Sequence, residues 1–102
     1  MKALDAMLQA IWSNVKTKLT AGQIEPALTY FSSVSRDKYR TVLNDIAPGL
    51  AGMFGSFPTI YPTQLGDGDA EYFVVMPNGG INYGYYIYFM QDPDGVWRVH
   101  EL

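Results

Sequence analysis

The chain has 102 residues, a formal net charge of −3 and no cysteine. Its length and its 48 % hydrophobic content favour one folded domain spanning residues 1–102. Seven lysines and arginines among ten acidic residues do not form a clustered basic surface, so no nucleic-acid partner is expected. No apolar run approaches the about 18 residues of a membrane span, and the chain offers neither disulfides nor thiolate metal ligands.

The first helix is indicated by apolar residues that recur every three or four positions between Ala3 and Thr20. Gly22 predicts the end of this helix, because glycine is the usual residue just beyond a helix C-terminus. The apolar stripe consists of Leu4, Met7, Leu8, Ile11, Trp12, Val15 and Leu19.

Two further helices are predicted in the next stretch. The second runs from about Ile24 to Ser32, with Pro26 in its first turn, where a missing N–H costs nothing. Ser35 is the predicted N-cap of the third helix, whose buried stripe comprises Tyr39, Val42, Leu43 and Ile46. Pro48-Gly49 ends or kinks that helix, and one more turn is expected at Leu50, Met53 and Phe54.

From Phe57 onward the hydrophobic period changes from about 3.6 to 2, and turn residues separate β-rich runs. Because Pro58 and Pro62 cannot donate ladder hydrogen bonds, the first strand belongs at an edge of the sheet or is irregular. The predicted fold is α+β, with three N-terminal helices packed on a curved four-stranded antiparallel meander sheet. The predicted strands are Phe57–Leu65, Ala70–Met76, Ile81–Gln91 and Val96–Leu102.

The last two strands flank Asp92-Pro93-Asp94-Gly95, a sequence typical of a type I turn closed by a glycine bulge. The resulting cross-strand pairs are Gln91 with Trp97, Phe89 with Val99, and Ile87 with Glu101. One face of this hairpin then carries Tyr85, Ile87, Phe89, Trp97 and Val99. The opposite face carries Tyr86, Tyr88, Met90, Val96, Arg98 and His100.

The order of elements, together with two sequence stretches, resembles the nuclear transport factor 2-like superfamily, which has a cone-shaped, cystatin-like α+β fold. The segment from Thr20 to Phe31 is similar to the family's small loop followed by a helix that ends in an aromatic residue. The segment from Asp94 to Val99 resembles its last strand, Asp-Gly-x-Trp-Arg-Ile. Uncharacterised bacterial members share phrases similar to those at 37–40 and 85–89.

The resemblance implies two kinds of function. The superfamily includes isomerases and cyclases as well as non-catalytic binding and dimerisation modules, and its fold alone does not choose between them. The expectation is a non-enzymatic binding or interaction module, in the setting of a larger, exported bacterial protein. The alternative is a cofactor-independent isomerase or cyclase with a tyrosine-lined cone. No cofactor is expected in either case.

The polar residues supply no complete catalytic set. His100 is the only histidine and lies on a predicted strand, which favours a surface role over a Ser-His-Asp device. Asp67, Asp69 and Glu71 alternate like calcium ligands, but the EF-hand spacing fails, so no metal site is predicted. An isomerase needs a buried carboxylate base, and none can be nominated.

The sequence pattern also offers a ligand pocket, for a small apolar or anionic molecule. Arg98 lies among tyrosines, where it can anchor an anion, pair with an acid such as Glu71, or stack on the rings. The candidate pocket residues are Tyr86, Tyr88, Arg98 and His100.

Both faces of the predicted sheet are rich in apolar residues, although the helices cover only one of them. This pattern predicts a homodimer through the sheet, or docking against a neighbouring domain. The candidate interface residues are Tyr72, Val74, Tyr86, Tyr88 and Met90. A non-catalytic module should fill the cone with Trp12, Phe31 and Phe89, whereas an enzyme should leave a deep cavity with an acid beside a tyrosine hydroxyl.

Overall fold

A computed structural model describes residues 2–102 of the chain. Its helices precede its strands, as the sequence predicted, and the last short helix follows a turn of 3₁₀ helix at Ala47–Gly49. The α-helices are α1 Lys2–Thr20, α2 Ile24–Leu28, α3 Arg36–Asp45 and α4 Leu50–Gly55. The predicted extra turn at 50–54 is therefore a separate fourth helix.

Helix α1 confirms the predicted stripe along its length. Leu8, Trp12, Val15 and Leu19 are buried, at consecutive spacings of four, three and four residues. The helix ends where Gly22 takes a φ of 75°, and the Gln23 N–H donates back to the Lys18 carbonyl at 2.8 Å. Glycine adopts this left-handed conformation without the steric cost of a Cβ atom.

Helix α2 ends at Leu28, four residues before the predicted end at Ser32. The reason is that the following residues extend and pair with the last strand. The Val99 N–H donates to the Tyr30 carbonyl at 2.8 Å, and the Ser32 N–H donates to the Val99 carbonyl at 2.7 Å. Pairing with a distant strand thus ends a helix that local sequence alone would have continued.

Helix α3 begins after Ser35, as predicted, but the Ser35 hydroxyl makes no side-chain cap. It bonds instead to the Ser32 hydroxyl, at 2.7 Å. Tyr39 and Leu43 are buried as expected, whereas Val42 is 40 % exposed, so its place in the buried stripe was wrong. This ten-residue helix packs against α2 and buries only Tyr39 and Leu43.

The strands form one antiparallel sheet in the order β1-β2-β3-β4, which confirms the predicted four-stranded meander. β1 lies at an edge, as its prolines required. The strands are β1 Tyr61–Leu65, β2 Asp69–Asn78, β3 Ile81–Gln91 and β4 Trp97–Glu101.

The register of the last hairpin is predicted correctly near its turn and wrongly beyond it. Gln91 pairs with Trp97 and Phe89 with Val99, but Glu101 pairs with Tyr88 and not with Ile87. The register shifts because His100 is an extra residue on β4, a β-bulge that the turn sequence does not encode. Gly95 has a φ of 82°, as a glycine closing this turn requires.

The helices cover one side of the sheet, which is called the core face here. It carries the predicted set Tyr85, Ile87, Phe89, Trp97 and Val99, all buried except Tyr85, which is 50 % exposed, and β2 adds three more buried side chains. These are Ala70, Tyr72 and Val74. Tyr72 and Val74, two of the predicted interface residues, are therefore core residues; the alternation of β2 turns them toward the helices, out of reach of a partner on the other side.

The middle hairpin is longer than its neighbours. β1 pairs with β2 only as far as Phe73, and β4 pairs with β3 only as far as Tyr88. Residues 74–87, called the hairpin arm here, therefore form a two-stranded ribbon with no third strand on either side.

Asp92 connects the turn between β3 and β4 to Ser33, and its removal should lower the stability of the fold. Its buried carboxylate accepts from the Ser33 N–H at 3.2 Å and from the Arg98 guanidinium at 2.7 Å. We expect Asp92→Ala to lower the free energy of unfolding by about 1–3 kcal/mol, because it removes the hydrogen bonds that Arg98 and the Ser33 N–H donate to a buried carboxylate. Urea titration should show a lower midpoint with an unchanged slope. Asp67→Ala, in an exposed turn, is the control; equal midpoints for the two variants would contradict this role.

Candidate functional site

The side of the sheet opposite the helices, called the reverse face here, carries an uncovered row of aromatic residues. Tyr61 pairs with Phe73 and Phe73 with Tyr86, so all three lie on this face. Tyr88 follows two residues further along β3. Tyr61 and Tyr86 are exposed, at 63 % and 47 %. Aromatic side chains supply large contact areas and are enriched where proteins meet.

Three of these rings form a continuous ladder. The centroids of Phe73 and Tyr86 are 5.2 Å apart, and those of Tyr86 and Tyr88 are 6.2 Å apart in a stacked arrangement. The Phe73 ring lies directly over Gly84, where an added Cβ would stand 2.6 Å from the ring. Glycine at this position is therefore what allows Phe73 to lie flat across β3.

Polar and charged groups border the end of this ladder that is formed by Tyr88. Tyr88 and His100, two predicted pocket residues, line a small cavity of about 240 Å³ together with Glu71, Met90 and Glu101. Partial burial and the neighbouring Glu71 carboxylate raise the pKa of the Tyr88 hydroxyl. The predicted interface residue Met90 thus lies beside the ladder, half-buried.

His100 is engaged by serines and not by a catalytic set. Its Nδ1 lies 3.1 Å from the Ser32 hydroxyl, which lies 2.7 Å from the Ser35 hydroxyl. A nucleophilic serine must reach its substrate, whereas both hydroxyl groups belong to buried residues. The chain Ser35-Ser32-His100 therefore joins the start of α3 to β4.

Arg98 neither stacks on the tyrosines nor pairs with Glu71. Its guanidinium contacts Asp92 at 2.7 Å and Asp94 at 3.0 Å, both in the preceding turn. Hydrogen bonds to these two carboxylates raise the pKa of Arg98, and the bond from Arg98 lowers the pKa of Asp94. Arg98 is thus a structural residue of the hairpin, and the described residues that line the cavities do not include it.

One buried polar pair was missed by the sequence reasoning. The Tyr72 hydroxyl donates to the Asp5 carboxylate at 2.5 Å, across 67 positions of sequence. Gln9 lies one turn after Asp5 and donates to the Ile60 carbonyl at 3.0 Å. A polar residue in the first turn of α1 gave no signal of this contact, because only the packing of α1 on β2 creates it.

A second, larger pocket of about 450 Å³ lies between the hairpin arm and the helices. Its walls, as far as the described residues form them, are mainly apolar and include no acidic or basic side chain. They are formed by Trp12, Met53, Phe54, Phe57, Met76, Pro77, Tyr85, Tyr86, Ile87 and Leu102. We call it the apolar pocket. Tyr86 is the predicted pocket residue that contributes to it.

Trp12, Phe31 and Phe89 lie in the core, and each is at most 1 % exposed. Across residues 2–102, histidine and acidic side chains do not come together in a group of three that could hold a metal ion. Among the described helices, none combines the length and hydrophobicity that crossing a bilayer demands. Searches of known family models, curated proteins and solved structures found no match to this chain.

The Asp5–Tyr72 contact predicts a loss of stability at high pH. Burial, and then the hydrogen bond to Asp5, raise the pKa of Tyr72 above the ordinary value of about 10. Above pH 10 the unfolded chain therefore releases this proton while the folded chain retains it, so stability falls as pH rises. The expected slope is about 1.4 kcal/mol per pH unit for this one proton.

Urea unfolding at pH 9, 10 and 11 measures this slope in the wild type and in Tyr72→Phe. The variant lacks the proton, so the difference between the two stability curves isolates Tyr72 from the other tyrosines. If the stability of the wild type and that of Tyr72→Phe fell equally steeply above pH 10, Tyr72 would ionise equally easily in the folded and the unfolded chain.

Proposed function

We propose that this chain is a non-catalytic interaction module that pairs with a second copy of itself through the reverse face. We also propose that its α+β architecture is the cone-shaped, nuclear transport factor 2-like variant suggested by the segments 20–31 and 94–99. The observation that carries the proposed function is the uncovered aromatic ladder Phe73-Tyr86-Tyr88.

The hairpin arm supports the same function. A two-stranded hairpin is marginally stable alone in water, yet this arm extends beyond its neighbouring strands. Exposed apolar residues lie on both of its sides, Val75 on the reverse face and Ile81, Tyr83 and Tyr85 on the side of the core face. Contact of the reverse face with a second molecule removes Val75 and Tyr86 from water and stabilises the arm.

The edges of the four-stranded part are poor sites for association, which favours the face. The outer edge of β4 already bonds to Tyr30 and Ser32. The outer edge of β1 contains Pro62, which cannot donate a ladder hydrogen bond. Two copies therefore meet more favourably face to face than strand to strand.

A second copy fits the dimensions and the composition of the face. Strand spacings of about 4.8 Å and a rise of about 3.4 Å per residue give a projected area on the order of 500 Å². Protruding rings enlarge the true contact surface toward the about 800 Å² per partner of a standard interface. The reverse face has an apolar centre, and charged residues such as Glu71 and Glu101 lie at its border, which is the usual arrangement of an interface core and rim. In a dimer with a two-fold axis, the ladder of one copy would pack on the ladder of the other.

The alternative function as an isomerase or cyclase has less support. Such an enzyme needs a carboxylate base exposed inside an apolar cavity. The described lining of the apolar pocket includes no carboxylate side chain. Asp5 does meet a tyrosine hydroxyl, but Tyr72 is fully buried, so a substrate has no access to that hydroxyl.

Tyr86→Glu should weaken the dimer, because it places a charge at the centre of the ladder. Substitutions at the centre of an interface cost about 2 kcal/mol or more, so the dissociation constant should rise by roughly 30-fold. Sedimentation equilibrium at micromolar concentration measures it, and circular dichroism reports whether the helices remain. Met7→Glu, on the similarly exposed α1 position, is the matched control and should leave the dimer intact. A monomeric wild type, or equal effects of both variants, would refute the proposal.

Gly84→Ala tests the ladder without adding charge. The new methyl group would stand 2.6 Å from the tip of the Phe73 ring, which is closer than two carbon atoms can approach. The ring must therefore turn out of the ladder. We expect roughly 10-fold weaker dimerisation with little change in monomer stability, because alanine itself suits a strand better than glycine. Gly68→Ala, where an added Cβ meets nothing within 4 Å, is the control. Unchanged dimerisation of Gly84→Ala would place the interface elsewhere.

A further inference from the structure

The apolar pocket lies on the opposite side of the hairpin arm from the ladder. Met53 and Phe54 of α4, with Phe57, form one wall, and Met76 and Tyr85 of the arm form the other. Its volume of about 450 Å³ falls within the range of small-molecule sites, about 300–1,000 Å³. Part of its wall is mobile in character, since Met53 is 44 % exposed and methionine is flexible.

Trp12 lines this pocket and carries an unpaired hydrogen-bond donor. Among the buried side-chain polar atoms of the described residues, its Nε1 lacks a partner. Leaving a buried donor unsatisfied is costly, and buried tryptophan N–H groups usually find an acceptor. The nearest rings, Phe57 and Phe54, lie at centroid distances of 5.1 and 6.3 Å and offer no oxygen or nitrogen acceptor.

We propose that the apolar pocket binds a small, neutral, apolar molecule with one carbonyl group, whose oxygen accepts the Trp12 Nε1–H. The apolar lining selects a hydrocarbon skeleton, and the indole selects an acceptor. A carboxylate is disfavoured, because the described lining holds no lysine or arginine to pair with its charge. Nε1 is shielded from water in this structure, so binding requires the side chains around it to move. This inference is independent of dimerisation, since it rests on the cavity and the indole.

Three probes of similar skeleton separate the contributions of the apolar skeleton, the carbonyl group and the negative charge to binding. Butyrophenone carries the carbonyl, butylbenzene has a methylene group in its place, and 4-phenylbutanoate carries a charged carboxylate. Because satisfying a buried donor is worth roughly a factor of ten or more in affinity, butyrophenone should bind about 10-fold more tightly than butylbenzene. The carboxylate should bind more weakly than butyrophenone.

The readout is the indole N–H region of a ¹⁵N–¹H correlation spectrum of the full chain, which should hold one signal each for Trp12 and Trp97. Butyrophenone should move the Trp12 signal downfield, as a new hydrogen bond does, and leave the Trp97 signal in place. Butylbenzene should not produce that downfield shift. Trp97→Phe assigns the Trp12 signal even if Trp12→Phe fails to fold.

Trp12→Phe, where it folds, removes the donor and keeps an aromatic ring. It should bind butyrophenone and butylbenzene equally, whereas the wild type prefers the ketone. The proposal is overturned if butyrophenone leaves the Trp12 signal unmoved, if both neutral probes bind the wild type equally, or if the carboxylate binds best.

Discussion

The packing of α1 against the core face is the contact on which the other elements depend. Its buried stripe runs through about three turns, and each large apolar side chain buried there contributes about 1.5–3 kcal/mol. Helices α2 and α4 have five and six residues, far below the about 12 at which an isolated helix becomes stable. They persist because Leu28 of α2 and Phe54 of α4 are buried in the same core. The Phe54 ring packs against the ring of Trp12.

This packing also decides which aromatic residues remain accessible. Side chains of a strand alternate between the two faces, so turning Tyr72 and Val74 inward necessarily turns Phe73 and Val75 outward. A sheet covered on one side ordinarily places polar residues on the other. Here that side carries a stacked ladder, and this departure is the physical basis for proposing self-association.

The hairpin arm connects the two proposed sites. Tyr85 and Tyr86 both border the apolar pocket, and Tyr86 also belongs to the ladder, so a ligand and a second copy contact the same stretch of β3. The arm has no third strand, and α4 is too short to cover it fully. Both the pocket and the exposed face therefore follow from one feature, a central hairpin longer than the elements around it.

Local periodicity determined the order of helices and strands, the span of β3, the edge position of β1 and the register beside the Asp92–Gly95 turn, because these depend on neighbours in sequence. It also placed Tyr86 and Tyr88 together on one face. The end of α2, the bulge at His100 and the Asp5–Tyr72 contact were decided by tertiary structure. Each of these features depends on groups that meet only when the sheet and the helices pack, and some of these groups are dozens of residues apart in sequence. For the same reason, no local pattern indicates where an unpaired donor such as Trp12 Nε1 will lie.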